Sequence, residues 1–499
     1  MKRLFTFMTA AACVATLCAS AARAQQQGQD QSQQPPAQSQ GQQQTAPDEG
    51  TTKPQGPIPA YRSPLAGAVD NENEDTTTEV MPDNRALTGV QNLGLGTTNE
   101  HSYWQPHLDV FVSEDSNPGQ ATGHSSWGTW ASISGGVNAH KISANNDFVL
   151  SYLGGGTFST DSSASNGAVQ ELAFSNTRTF HRWALTVIDT LSYLPGSGFG
   201  FGDLGVTLPG GGGSAGGGLP GPGQTILVGQ GQNLGNQFET EADIFLTGRS
   251  SLTFAGGYST LNYFDSNLLN YGTASARAGY NYLINRKDTI GVDYTFSETN
   301  YGNFHQSIAE HVFQVAYGRR VTGRLAFQIS GGPEVATFTI PINPGTGGEG
   351  GNGPTTNLHW SLNTNLTYAL PRTSFGLGYS HGVAGGAGVL AGSQADTVSG
   401  SVTRQMTRRF SSGVTGGYSR NSGLAVFNAT PTGSQTFDYW FGGANLTYPL
   451  GRALAVSLAY QVQYQSSGTA FCIGATCSTD VVRNLISVGL NWRDRQRRF

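Results

Sequence analysis

Leu358-His359-Trp360-Ser361-Leu362-Asn363-Thr364-Asn365-Leu366-Thr367-Tyr368 decides how this chain folds. Leu358, Trp360, Leu362, Leu366 and Tyr368 share one parity, and His359, Ser361, Asn363, Asn365 and Thr367 the other. Leu454 to Gln465 repeats the pattern, with Leu454, Val456, Leu458, Tyr460, Val462 and Tyr464 alternating with Ala455, Ser457, Ala459, Gln461, Gln463 and Gln465. A period of two is a β-strand with one apolar and one polar face.

Working outward, the alternation recurs from Trp104 to Trp492 and resolves into about eighteen strands of roughly ten residues, with sixteen as the competing count. The weakest are Trp104 to Glu114 and Val169 to Arg178. Even-numbered strands end in short turns where Arg follows an aromatic, as in Tyr282 to Arg286, Tyr317 to Arg320, Tyr368 to Arg372 and Tyr448 to Arg452. Odd-numbered strands run into long Gly/Ser/Asn loops, such as Leu194 to Asn236 and Ile340 to Thr356. Interfacial aromatics and short turns mark one side of a membrane, and long loops the other. An even count brings both ends of the ring to the short-turn side.

Composition fits a chain with one lipid face and one wet face. Its 499 residues include Gly 70, only 37% hydrophobic and 12% charged residues, against roughly a quarter charged in ordinary soluble domains. No apolar run beyond the N-terminus approaches the ~20 residues of a membrane helix. Met1 to Ala24 reads as a signal peptide, with Lys2 and Arg3, an apolar core from Leu4 to Leu17, and Ala22-Arg23-Ala24 for cleavage. Neither Cys13 nor Cys18 follows a convincing lipobox. Cleavage takes the 27 basic residues to about 24 against 32 acidic, a balance that argues against nucleic acid as a partner. Cys472 and Cys477 remain, and in an oxidising compartment they are expected to form a disulfide.

Residues 25–100 are expected to be a disordered periplasmic leader, Gln- and Pro-rich at first and acidic from Asp70 to Asp75. Within it, Ala86 to Leu93 either docks on the barrel, enters its lumen, or is plain leader. Residues 101–499 are expected to form the barrel.

The fold class expected is all-β, a transmembrane antiparallel up-and-down β-barrel. Its last strand, Leu485 to Trp492, points Ile486, Val488, Leu490 and Trp492 outward, and the chain ends in Phe499. A final amphipathic strand with a terminal aromatic resembles the assembly signal of Gram-negative outer-membrane proteins, with Trp492 or Phe499 as its aromatic. The resemblance covers about residues 104–499 and matches no named porin, transporter or exporter family. It implies the outer membrane as location, with its lipid, lipopolysaccharide and assembly machinery as partners. It leaves a homo-oligomer open.

Parity singles out charges that face the lumen. Glu239, Glu241 and Asp243 share a parity opposite Ala242, Ile244 and Leu246; Arg277, Asp293 and Glu310 also face inward. Counting from the turns sets Arg277 near Thr295, Glu310 near Asp293 or Thr295, and Arg277 towards Glu241 and Asp243 through Ala255. These six residues are expected to form a transverse row, a selectivity lining in which acid outnumbers base. The bland reading is scattered, water-satisfied charge.

No catalytic, cofactor-binding or metal-ligating set is expected. The nine histidines lack metal-ligand spacing, and His359 with Ser361 is simply the pleat repeat. The glycine run Gly210 to Gly218 lacks the Lys-Ser/Thr of a phosphate loop. Pro333-Glu334 inside a strand suggests a bulge or kink. The functional expectation is a non-enzymatic, passive, porin-like channel for small hydrophilic solutes. The alternatives are an exporter or assembly barrel for polysaccharide, and a structural or adhesive surface protein.

Overall fold

The computed structural model describes residues 102–117, 127–160, 166–195, 232–264, 268–302, 306–339, 354–384, 392–407, 409–424, 436–467 and 480–498. Eighteen strands run in chain order: β1 Tyr103–Asp115, β2 Gly128–Ser143, β3 Asn146–Ser159, β4 Gly167–Thr179, β5 Trp183–Leu194, β6 Asn233–Phe245, β7 Ser250–Tyr263, β8 Tyr271–Leu283, β9 Asp288–Tyr301, β10 Gln306–Arg320, β11 Leu325–Thr339, β12 Thr355–Leu370, β13 Thr373–Ala384, β14 Ser393–Gln405, β15 Ser411–Gly423, β16 Thr436–Pro449, β17 Leu454–Ser467 and β18 Asp480–Arg493. A two-residue strand, β19 at Arg497–Arg498, adds to the start of β1.

Each strand pairs antiparallel with its sequence neighbours, and β1 pairs with β18, so the sheet closes on itself. The count is eighteen rather than sixteen because the two weakest stretches, β1 and β4, pair along their whole lengths. Following the registers once around the ring returns to β1 about 22 residues from the start. Eighteen strands with that stagger tilt by ~40° and give a backbone radius of ~18 Å. Small side chains cannot fill so wide a ring, so its interior differs from a packed core.

The pleat sorts the residues as the sequence parity predicts. Leu358, Trp360, Leu377, Val414, Trp440 and Val488 are exposed on the outer face, and such an apolar band on a closed ring is the surface of a membrane-spanning barrel. Short turns join even strands to the next odd strand, as between Ser143 and Asn146. At the same rim the ends of β1 and β18 meet, where Asp494 N–H donates to the Pro106 carbonyl.

Closure is reinforced inside the wall. Arg483 of β18 donates through Nε (2.9 Å) and Nη2 (2.5 Å) to Asp115 Oδ2 of β1, and both side chains are buried. Below them Ser113 Oγ donates to Ser487 Oγ at 2.8 Å. Phe111 turns inward across Gly489, where a Cβ would collide with its ring.

Of the bulge or kink suggested at Pro333, no bulge forms. β10 and β11 keep one register on both sides of it, Val312 opposite Glu334 and Val315 opposite Gly331. The two bridges between are absent, because proline has no N–H to donate. Gly332 lies there against the Phe313 carbonyl, too close for any Cβ.

Candidate functional site: an acidic staircase in the lumen

Glu239, Glu241 and Asp243 on β6, Arg277 on β8, Asp293 on β9 and Glu310 on β10 all lie on the inward parity, opposite the exposed Phe238, Ile244, Tyr280, Val292 and Phe313. Glu241 sits across from Ala255, Ala255 from Arg277, and Arg277 from Thr295, as counted from the turns. The row continues from Thr295 to Val312, Glu334 and His359. Glu310 departs from expectation by one pleat: it faces Ser297, and Gln314 faces Asp293. The 300–304 turn was read one pair too short.

The row is not transverse to the pore. Strands tilted ~40° and ~4.8 Å apart lift a perpendicular row by ~3 Å per strand. Glu241 lies near the short-turn end of β6, whereas Glu334 and His359 lie in the far halves of β11 and β12. Asp243, Glu241, Asp293, Glu239, Glu334 and Glu310 therefore form a staircase that climbs ~20 Å of the lumen wall. Arg277 is the one arginine among these steps.

Each step is held in its own way. Arg277 Nη2 donates to Glu241 Oε2 at 2.6 Å. Thr253 Oγ1 donates to Asp243 Oδ1 at 2.6 Å, and Ser297 Oγ to Glu310 Oε2 at 2.9 Å. Glu334 accepts the Val383 N–H on both oxygens, at 3.1 and 3.2 Å. That amide is free because β12 and β13 stop pairing at Leu362–His381. Asp293 is 7% exposed, and its Oδ1 has no hydrogen-bond partner. Gln314 Nε2 reaches over Gly332 to Ser361 Oγ at 2.9 Å, so Ser361 is engaged in the wall rather than with His359.

Sequence reasoning left Glu334 and Gln314 out of the row. The parity of β11, with Phe327 and Ile329 outward, was the available signal for Glu334, and the proline beside it drew the attention instead. In the structure, Tyr301, Ile308, Ala336 and Phe338 cluster inside the far end with Leu269, and Val383 and Leu424 pack against them. Trp130, Val169 and Leu485 form a second inward cluster, and Tyr439, Phe441 and Val481 a third.

Among the described residues no group of three or more His, Cys, Asp or Glu is placed to hold a metal ion. Cys472, Cys477, Phe499 and the Gly210 to Gly218 run lie outside the described residues; Trp492 is on the outer face as expected.

No family model matches the chain, and no curated protein matches it. Several solved structures are similar at low identity. OpdQ of Pseudomonas aeruginosa is 12% identical, with a TM-score of 0.40 over 79% of this chain and 98% of that one. OccK2 (OpdF) of the same organism, in complex with glucuronate, is 10% identical, with a TM-score of 0.40 over 79% and 98%. OccAB3 of Acinetobacter baumannii is 10% identical, with a TM-score of 0.37 over 79% and 99%. The eighteen-strand closed ring stands on its own hydrogen-bonded ladders.

Proposed function

We propose that this chain is a passive, porin-like channel of the Gram-negative outer membrane, passing small hydrophilic solutes and favouring cations. The observation that carries the reading is the staircase: six carboxylates and one arginine stepping along the wall of a ring ~18 Å in radius. Fixed carboxylates along a wet path raise the local concentration of cations and oppose anions.

The setting follows from the same features. The outer band suits lipid below and lipopolysaccharide at the long-loop rim. Residues 1–24 serve as the export signal, and the last strand with Trp492 and Phe499 serves the assembly machinery. Cys472 and Cys477 join as a disulfide in the last loop. Association with further copies is compatible with this reading.

Planar-bilayer recording of the purified protein tests it. A steady, ungated conductance with cation over anion preference is expected, and Glu241→Gln with Asp243→Asn should lower that preference. Absence of any conductance, or a preference unchanged by the double substitution, would overturn the reading.

A further inference from the structure

The inner face of the closure seam carries a second polar set, nearer the short-turn rim than the Arg483–Asp115 pair. His107 and Asp109 are successive inward residues of β1, and their side chains are each 1% exposed. Asp109 stands across from Asn491 of β18, which is also buried. Gly136 of β2, across from His107, makes room for the imidazole: a Cβ there would lie 2.7 Å from the ring atoms Cε1 and Nε2.

The set is rich in ligand atoms that nothing engages. Both ring nitrogens of His107, both carboxylate oxygens of Asp109 and Oδ1 of Asn491 are buried without a hydrogen-bond partner. Asn491 Nδ2 donates to Ser457 Oγ of β17 at 3.1 Å. That bond turns Oδ1 away from β17 and towards Asp109 on β1. Among the described residues the ionisable side chain paired with Asp109 is His107, not Arg493, which stands across from His107 on β18.

The separation decides what fits between them. His107 Nε2 and Asp109 Oδ2 are 4.0 Å apart, too far for a hydrogen bond. It is also short of the ~4.6 Å that a water bridging two ordinary hydrogen bonds would hold open. Metal bonds of ~2.0–2.1 Å to the imidazole nitrogen and ~2.0–2.2 Å to the carboxylate oxygen span it, with a wide angle at the ion. One imidazole with oxygen ligands and no thiolate suits a divalent transition ion such as zinc. The third ligand is an amide, so the set is not a group of three among His, Cys, Asp and Glu.

We propose that His107 Nε2, Asp109 and Asn491 Oδ1 bind one zinc-type divalent cation on the lumen side of the seam, where it ties β1 to β18. The lumen supplies the ion, and lumen water fills its remaining positions. The proposal stands whether or not the barrel conducts.

Calorimetric titration of the full, untagged chain, refolded in detergent, with zinc chloride tests it. One zinc per chain is expected, together with a rise in the temperature at which the folded band converts to the unfolded one on gels. His107→Ala and Asp109→Asn should each weaken binding about tenfold or more. Asn491→Asp, which exchanges the amide oxygen for a carboxylate, should tighten it, and this gain keeps the test decisive if the other variants fail to assemble. Zinc held equally well by the His107→Ala chain would place the metal on another histidine and overturn the proposal. So would a parent chain that binds no zinc, in which Asn491 turns its amide to Asp109 instead. An Asn491→Asp chain that binds no tighter than the parent also overturns it.

Discussion

Arg277 of β8 and Glu241 of β6 are ion-paired at 2.6 Å across a strand that belongs to neither. β7 lies between them, and it presents Ala255 at that level, a side chain short enough for the guanidinium to pass over. Both partners are mostly shielded, at 17% and 13% exposed.

Arg277→Gln should therefore raise cation over anion permeability, and Glu241→Gln should lower it. In a water-filled lumen one unit charge at ~8 Å is worth about 0.5 kcal/mol, so each change is about twofold in the permeability ratio. Reversal potentials across a salt gradient measure it. Opposite signs for the two substitutions are required.

The Arg483–Asp115 pair closes the ring with side chains only 2% and 1% exposed. Removing one partner strands the other charge, at about 3–5 kcal/mol. Arg483→Met and Asp115→Leu should each lower the temperature at which the folded band converts to the unfolded one on gels. Combined, they should recover most of the loss. Single variants as stable as the parent would show that the pair is not what holds the seam.

Gly332→Ala should block assembly into the membrane, because its Cβ would meet the Phe313 carbonyl oxygen, a backbone atom that cannot swing away. Gly248→Ala, in a turn with nothing within 4 Å, is the matched control and should assemble normally. Protease-protected barrel in outer-membrane fractions distinguishes them.

The tail beyond β18 should loosen in acid. Asp494 has its carboxyl held below the ordinary 3.8, first by the Arg495 backbone N–H and then by Arg497. A depressed carboxyl stabilises the docked tail above its ordinary pKa, and that contribution is lost as pH falls through the lowered value. Arg497 also stacks over Trp104 at 5.1 Å, so Trp104 emission should change only below about pH 3.8. Asp494→Asn should show the acid-like emission at neutral pH.

Parity carried most of what was legible in the sequence. Alternation around Leu358 and Leu454 placed residues on the correct face, and all six predicted lumen charges point inward. Pairing counted from tight turns succeeded where the turn was unambiguous, as for Arg277 opposite Thr295. It slipped by a pleat at Glu310, because Gly302-Asn303 reads as a two-residue turn, whereas Tyr301 pairs with Gln306. Tilt left no trace in any one strand. It emerges from the accumulated stagger of all eighteen, so the row looked level when it climbs. The Asp115–Arg483 clasp was equally hidden, joining residues at opposite ends of the chain by a contact that exists only after closure.

If the ring conducts as proposed, its stagger would impose a motion on the solute. From β6 to β11 the carboxylates step across five of eighteen strands, so a solute that kept to them would be carried around the barrel axis by a little over a quarter of a turn as it advanced. Such a passage would be a screw rather than a slide. A compact ion can follow that thread freely, whereas a rigid, elongated cation must rotate to keep its charge against the wall. Selection by length and stiffness would thus come from the backbone stagger together with the carboxylates it sets in a climbing row.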